Sequence, residues 1–278
     1  MDCLGRSPSS WAKIGLFYFL FYSFLAAFWA VCFSVFSTQF LSDEIPRWTG
    51  SASLIGTSPG VAMRPFRRPE NLRDMNKIHF SPNNESSYGS WSQEIDEFLK
   101  PYNQPTSNFT LDMLGPCGIS PYGYNESRPC IYLKLNKIYN VTNTPCDLTE
   151  NQAAAKNTCS EMPESLQNVV KNADNSNQVW IECRARGKNS NDIAVDITTL
   201  DFKYFPSTQG FQHKDGQYYP YLRQKGYLSP LVAVQISPQK NEESKIQCRT
   251  YAQNIVYSQK DKLGYVEFSL FLVEEDHP

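Results

Sequence analysis

The feature that most constrains this chain is a long run without charge. Ile14 to Ser42 holds no Asp, Glu, Lys or Arg. About 20 apolar residues cross a bilayer as a helix, so the run spans one with room for tilt. The apolar core of a cleaved signal peptide is roughly 7–15 residues, so the run reads as a permanent anchor. Trp11 and Trp48 bracket it, as aromatic residues do at membrane interfaces. Four segments follow: an inner tail over 1–13, a transmembrane helix over 14–42, an extended Pro-containing stalk over 43–75, and a folded domain over 76–278.

Charge alone orients the anchor weakly, with Arg6 and Lys13 before it and Asp43, Glu44 and Arg47 after it. N-x-S/T acceptors decide the matter. They occur at Asn84, Asn108, Asn125 and Asn140, all beyond the anchor, together with six of the eight Cys. Glycosylation and disulfides both require the C-terminal side to be outside the cytoplasm. Cys3 is then a reduced cytoplasmic thiol, and Cys32 a small apolar residue of the helix.

The helix has two readable faces. Ser23, Ala26, Ala27, Ala30, Ser34 and Ser37 form a small-residue seam, and Tyr18, Tyr22, Leu25 and Trp29 a second stripe. Small residues let helices approach closely in lipid, and phenolic hydroxyls in hydrocarbon need partners. Both faces predict a neighbouring helix.

The outer cysteines are Cys117, Cys130, Cys146, Cys159, Cys183 and Cys248. Six cysteines allow 15 connectivities, of which the simplest joins sequence neighbours. Zinc is disfavoured, because no C-x2-C occurs and the compartment is oxidising. The three His, at 79, 213 and 277, lack metal-ligand spacing.

Ser86 to Lys100 places Trp91, Ile95, Phe98 and Leu99 at helical spacing before Pro101, which predicts one amphipathic helix. Alternating runs predict strands at Ile131–Leu135, Val179–Ala185, Ile193–Ile197, Leu200–Tyr204 and Val266–Leu272. The nearly unbroken apolar run Leu231–Ile236 predicts a buried strand. Asn143 to Ser176 reads as a polar insert with a short helix after Pro163. These signals, with 16 Tyr and 17 Phe, predict a β-sandwich carrying one amphipathic helix and long loops.

No catalytic constellation is visible. The sequence has no G-x-S-x-G, H-E-x-x-H, P-loop, G-x-G-x-x-G or D-x-D, and a net charge of −2 gives no electrostatic case for nucleic acid. A non-catalytic subunit, a lone adhesion or lectin-like receptor, and an enzyme are the three readings. The seam and tyrosines of the helix favour the first.

Several segments, read together, resemble the β subunit of the sodium/potassium- or proton/potassium-transporting P-type ATPases. They are Leu4-Gly5-Arg6 with Ser9-Ser10-Trp11, Phe17-Tyr18 and Phe21-Tyr22; Ser58-Pro59-Gly60; and Ser87-Tyr88 with Phe98-Leu99-Lys100. Further on come Cys117 with Tyr122-Gly123-Tyr124, Arg128-Pro129-Cys130-Ile131 and Lys134-Leu135-Asn136. The last are Gln217-Tyr218-Tyr219-Pro220-Tyr221, Tyr227-Leu228, Pro230 to Gln235, Cys248, Asn254-Ile255 and Tyr257 to Asp261. The resemblance implies an immunoglobulin-like domain on a type II plasma-membrane anchor. It implies no cofactor and no chemistry of its own. The implied role is to escort the catalytic α subunit to the surface and to adjust its potassium affinity, with lipid and a small single-span regulatory subunit as further partners.

The resemblance carries over two bridges, Cys117–Cys130 and Cys183–Cys248. The family's first bridge is missing, and Cys146 and Cys159 stand where its pattern has no pair. The inner tail is also shorter than the family's. Expected contacts with the α subunit are Tyr18 and Tyr22 in the membrane, and Tyr218, Tyr219, Pro220 and Tyr221 outside it.

Overall fold

The computed structural model describes residues 7–41, 45–67, 76–104, 108–146, 148, 158–173, 178–186 and 200–274. The strand expected at Ile193–Ile197 lies outside these residues. The chain divides into two compact units, Met1–Thr49 and Gly50–Pro278.

The first unit is a single helix, α1, Pro8–Phe40. Its 33 residues measure about 50 Å at 1.5 Å per residue, well beyond the ~30 Å of a hydrocarbon core. Helical backbone therefore begins earlier than the apolar run. Pro8 occupies the first turn, where its missing N–H has no intrahelical acceptor to lose. At the far end the Arg47 guanidinium lies 5.0 Å from the Phe40 ring centroid and 5.6 Å from that of Trp48.

The second unit is built on two sheets. One has the order β1 (Val61–Arg64), β3 (Cys130–Leu135), β7 (Leu231–Ser237), β5 (Asp201–Phe205). The other runs β2 (Lys77–Phe80), β9 (Tyr265–Leu272), β8 (Glu243–Tyr251), β4 (Val179–Ala185), β6 (Gly210–Phe211). Ile131, Leu133, Val232 and Val234 of the first sheet join Ile181, Ile246, Phe268 and Leu270 of the second in one buried core. That shared core makes the unit a β-sandwich. The Cys183 N–H donates to the Tyr204 hydroxyl at 2.8 Å, tying β4 of one sheet to β5 of the other.

The span 43–75 that reads as stalk contributes β1, paired antiparallel with β3 from Val61↔Leu135 to Arg64↔Tyr132. Its Pro and Gly content conceals a four-residue strand too short to show alternation.

Helix α2 spans Glu85–Leu99. Asn84 caps it, its Oδ1 accepting the Ser86 N–H at 3.1 Å, and Lys100–Tyr102 turns tightly at Pro101. Phe98 lies 6.1 Å from Tyr132, and Tyr122 from the disulfide loop meets the same ring at 6.2 Å. The face of β3 turned away from the sandwich is therefore covered as well. Covering on both faces explains why Leu231–Ile236 carries almost no polar residue.

Three disulfides are present, Cys117–Cys130, Cys146–Cys159 and Cys183–Cys248. In antibody-type immunoglobulin domains the long bridge joins the two sheets. Here Cys183 and Cys248 are directly opposed on neighbouring strands of one sheet. In the Cys117–Cys130 loop, Gly123 has φ +76, and a Cβ there would stand 2.1 Å from the Arg128 carbonyl oxygen, so only glycine fits. Cys146 and Cys159 anchor a separate small core with Met162, Leu166, Trp180 and Tyr251, beneath α3 (Glu164–Lys171).

Candidate partner-binding surfaces

On α1 no side chain is buried within the unit. Tyr18 and Tyr22 are 50% and 59% exposed, and their rings stack at 6.0 Å, one turn apart. Phe17 and Phe21 stack beside them at 6.2 Å. The stripe runs further than the sequence reading took it, through Trp29–Phe33 at 5.2 Å and Phe36–Phe40 at 5.7 Å. Its spacings of three and four were legible, but Phe is so frequent in this helix that the continuation did not stand out. The Ser37 hydroxyl of the seam and that of Thr38 next to it donate to the Ser34 carbonyl at 3.0 and 2.8 Å, so both are satisfied on their own helix.

The second surface lies in the β domain. Residues 218–221 form no helix and only an isolated bridge, Tyr139↔Tyr221. They are held instead by rings and backbone bonds. His213, buried, lies 5.2 Å from the Tyr219 ring, 5.7 Å from Tyr227 and 6.3 Å from Tyr218. Its Nδ1 is 3.1 Å from the Gln217 carbonyl oxygen; a carbonyl only accepts, so Nδ1 carries the proton. Burial pushes the imidazole below its ordinary range and pushes the Tyr218 hydroxyl up.

The four expected residues sort by environment. Tyr218 packs on the main core, while Tyr219 is 37% exposed and donates to Asp215. Pro220 and Tyr221 are half-buried, and Tyr221 meets Tyr227 at 5.3 Å and Tyr139 at 6.5 Å. Lys137 lies over both Tyr221 and Tyr227, 5.1 and 5.3 Å from their centroids. His213, Tyr227, Tyr139 and Lys137 belong to this cluster although no spacing links them. Only the fold brings them together.

All four N-x-S/T asparagines are exposed. Two border the cluster: the Asn108 carbonyl accepts the Lys214 N–H at 2.9 Å, and the Asn140 N–H donates to the Tyr221 carbonyl at 2.9 Å. Among the described residues no group of His, Cys, Asp or Glu is placed to hold a metal ion.

One helix able to cross a bilayer, joined to a disulfide-bonded β-sandwich, defines a membrane protein with a single span among the described residues. The family model described as sodium/potassium ATPase beta chain matches residues 1–108 and 104–268. Sodium/potassium-transporting ATPase subunit beta-1 of Drosophila melanogaster is 35% identical over 294 residues, covering 96% of this chain and 88% of its own. Subunit beta-2 of the same organism is 32% identical over 298 residues, covering 96% and 87%. Subunit beta-1 of Tetronarce californica is 29% identical over 307 residues, covering 96% and 90%. The chain belongs to the sodium/potassium ATPase beta-chain family, whose members are non-catalytic subunits.

Proposed function

We propose that this chain is the accessory β subunit of a sodium/potassium-transporting P-type ATPase, needed to fold, assemble and deliver the catalytic α subunit and to adjust its potassium affinity. The observation that carries this is family similarity running from the membrane helix through the β domain, with 96% of the chain aligned. The subunit sits in the plasma membrane with its tail inside and its β domain outside, next to lipid and a small single-span regulatory subunit. Asn84, Asn108, Asn125 and Asn140 carry glycans, with Asn125 restricted by the Cys117–Cys130 loop in which it lies.

Two surfaces meet the α subunit. Tyr18 and Tyr22 pack on an α-subunit helix that supplies acceptors for their hydroxyls. Tyr218, Tyr219, Pro220 and Tyr221 dock on its outer segments, with tyrosine giving large contact area at low entropy cost. Coupling to transport is thermodynamic: a subunit that holds the potassium-bound state of its partner more tightly raises potassium affinity.

The test is affinity purification from detergent-solubilised membranes followed by mass spectrometry. A co-purifying chain of about a thousand residues carrying a phosphorylatable Asp is expected. Recovery of the chain alone, or with an unrelated receptor, overturns the reading.

A further inference from the structure

Beside the tyrosine cluster, three cations crowd together, and among the described residues a single carboxylate, Glu94, pairs with any of them. The register of β1 on β3 pairs Ala62 with Lys134 and Arg64 with Tyr132, so Arg64 and Lys134 are diagonal neighbours on one face. Both converge on one ring: the Arg64 guanidinium lies 5.8 Å and the Lys134 ammonium 5.5 Å from the Phe98 centroid. Lys137 continues the row over Tyr221 and Tyr227, its Nζ 3.4 Å from the Tyr227 carbonyl oxygen.

The local anion does not balance them. Glu94 stands 4.0 Å from Arg64, but its Oε1 accepts the Phe66 N–H at 2.7 Å, and burial pushes its pKa up. Among the described residues no carboxylate pairs with Lys134 or Lys137. Lys134 is half-buried, and burial together with Arg64 and Lys137 drives its pKa down. A ring face attracts a cation but carries no charge to cancel the repulsion between neighbours. Partly desolvated like charges raise the energy of this face, and an incoming anion lowers it.

We propose that Arg64, Lys134 and Lys137 form an anion-receiving site continuous with the tyrosine cluster, and that its occupant is a carboxylate side chain from the outer surface of the catalytic subunit. This rests on the reading that the cluster docks there. The geometry favours a protruding protein side chain over a lipid surface. Lys134 is recessed on a sheet face beneath Phe98, and the rings fix all three cations in place. A planar layer of headgroups is met instead by lysines that project freely.

The experiment co-expresses the full chain with its catalytic subunit and measures recovery of the complex in detergent across a salt series. Lys134→Met with Lys137→Gln is expected to lower recovery about fivefold to tenfold at low salt and to flatten the salt dependence, since removed charges no longer respond to screening. Lys137→Glu, at an exposed position, is expected to lower recovery without disturbing packing, and Lys134→Arg to restore it. Equal recovery and an unchanged salt slope in the double variant overturn the site, as does unchanged recovery with loss of binding to phosphatidylserine vesicles. Failure of the wild-type chain to co-purify overturns the docking reading itself, and with it this one.

Discussion

Tyrosine does opposite work in the two units. On α1, Tyr18 and Tyr22 stack on each other and meet Phe17 and Phe21 edge-on along the same helix, with half or more of each side chain exposed. In the β domain, Tyr122 and Tyr132 lie at 6.2 Å, and both are buried. The Tyr132 hydroxyl donates to the Cys117 carbonyl at 2.5 Å and the Tyr122 hydroxyl to Asp96. The β domain supplies the hydroxyl partners of that pair from its own chain, whereas the helix leaves its pair exposed. A tyrosine pair in one unit is thus part of the folded core, and in the other stays on the open surface of the helix, where the proposed contact with the catalytic subunit would use it.

The sharpest way to break that comparison is to delete one ring from each side. Tyr132→Ala removes a fully buried ring between β3 and α2 and is expected to destabilise the β domain by about 3–5 kcal/mol. Tyr18→Ala is expected to change it by less than about 0.5 kcal/mol. Thermal melts of the full chain in detergent measure both, and equal losses would erase the distinction.

Next in size is the small core under α3. Cys146→Ser with Cys159→Ser is expected to cost about 2–4 kcal/mol and to act locally. The readout is Trp180 fluorescence, which should shift before the main transition. A single unshifted transition would merge the two cores into one.

A pH series sharpens the comparison between Tyr218, packed on the core, and exposed Tyr219. The folded His213 binds its proton less readily than the unfolded one, so the unfolded state holds more protons as pH falls below the ordinary value of about 6.5. Its contribution to stability is present above that pH and lost below it. Wild-type melting should fall faster between about pH 6.5 and 5 than that of His213→Gln, with Asp215 the neighbouring carboxylate common to both. Parallel curves would show that the ring titrates freely.

The smallest effect is on the membrane side. Tyr18→Leu with Tyr22→Leu should leave assembly nearly intact and alter apparent potassium affinity by about fivefold, the consequence of roughly 1 kcal/mol of coupling. Potassium activation of the pump in cells expressing a matched catalytic subunit measures it. An unchanged activation curve would remove the helix pair from the mechanism.

Much of the fold is legible because its signals are local. The charge-free run dictates α1, since backbone in hydrocarbon must satisfy its own hydrogen bonds. The helical spacing over Ser86–Lys100, stopped by Pro101, matches α2 within one residue at each end, and alternation locates β3, β4, β5 and β9. The short strands β1, β2 and β6 escaped, because two to four residues cannot display a period and exist only through their neighbours, and the nine-residue β8 escaped because polar Ser244 and Thr250 stand among its buried positions. The tyrosines at 218, 219 and 221 stood out as a cluster of large rings. Their partners did not: His213 and Tyr227 lie in turns, and Lys137 follows a strand from a different part of the chain.

The sequence by itself determined the anchor, α2, most of the longer strands and the residue types available for contact, because hydrophobic period acts over a few residues. Tertiary structure alone decided that Cys183 and Cys248 face each other within one sheet and that the span read as stalk contributes an edge strand. It also brought Arg64, Lys134 and Lys137 onto one face. Those are outcomes of strand register and layer packing, and register is set by contacts between segments far apart in sequence.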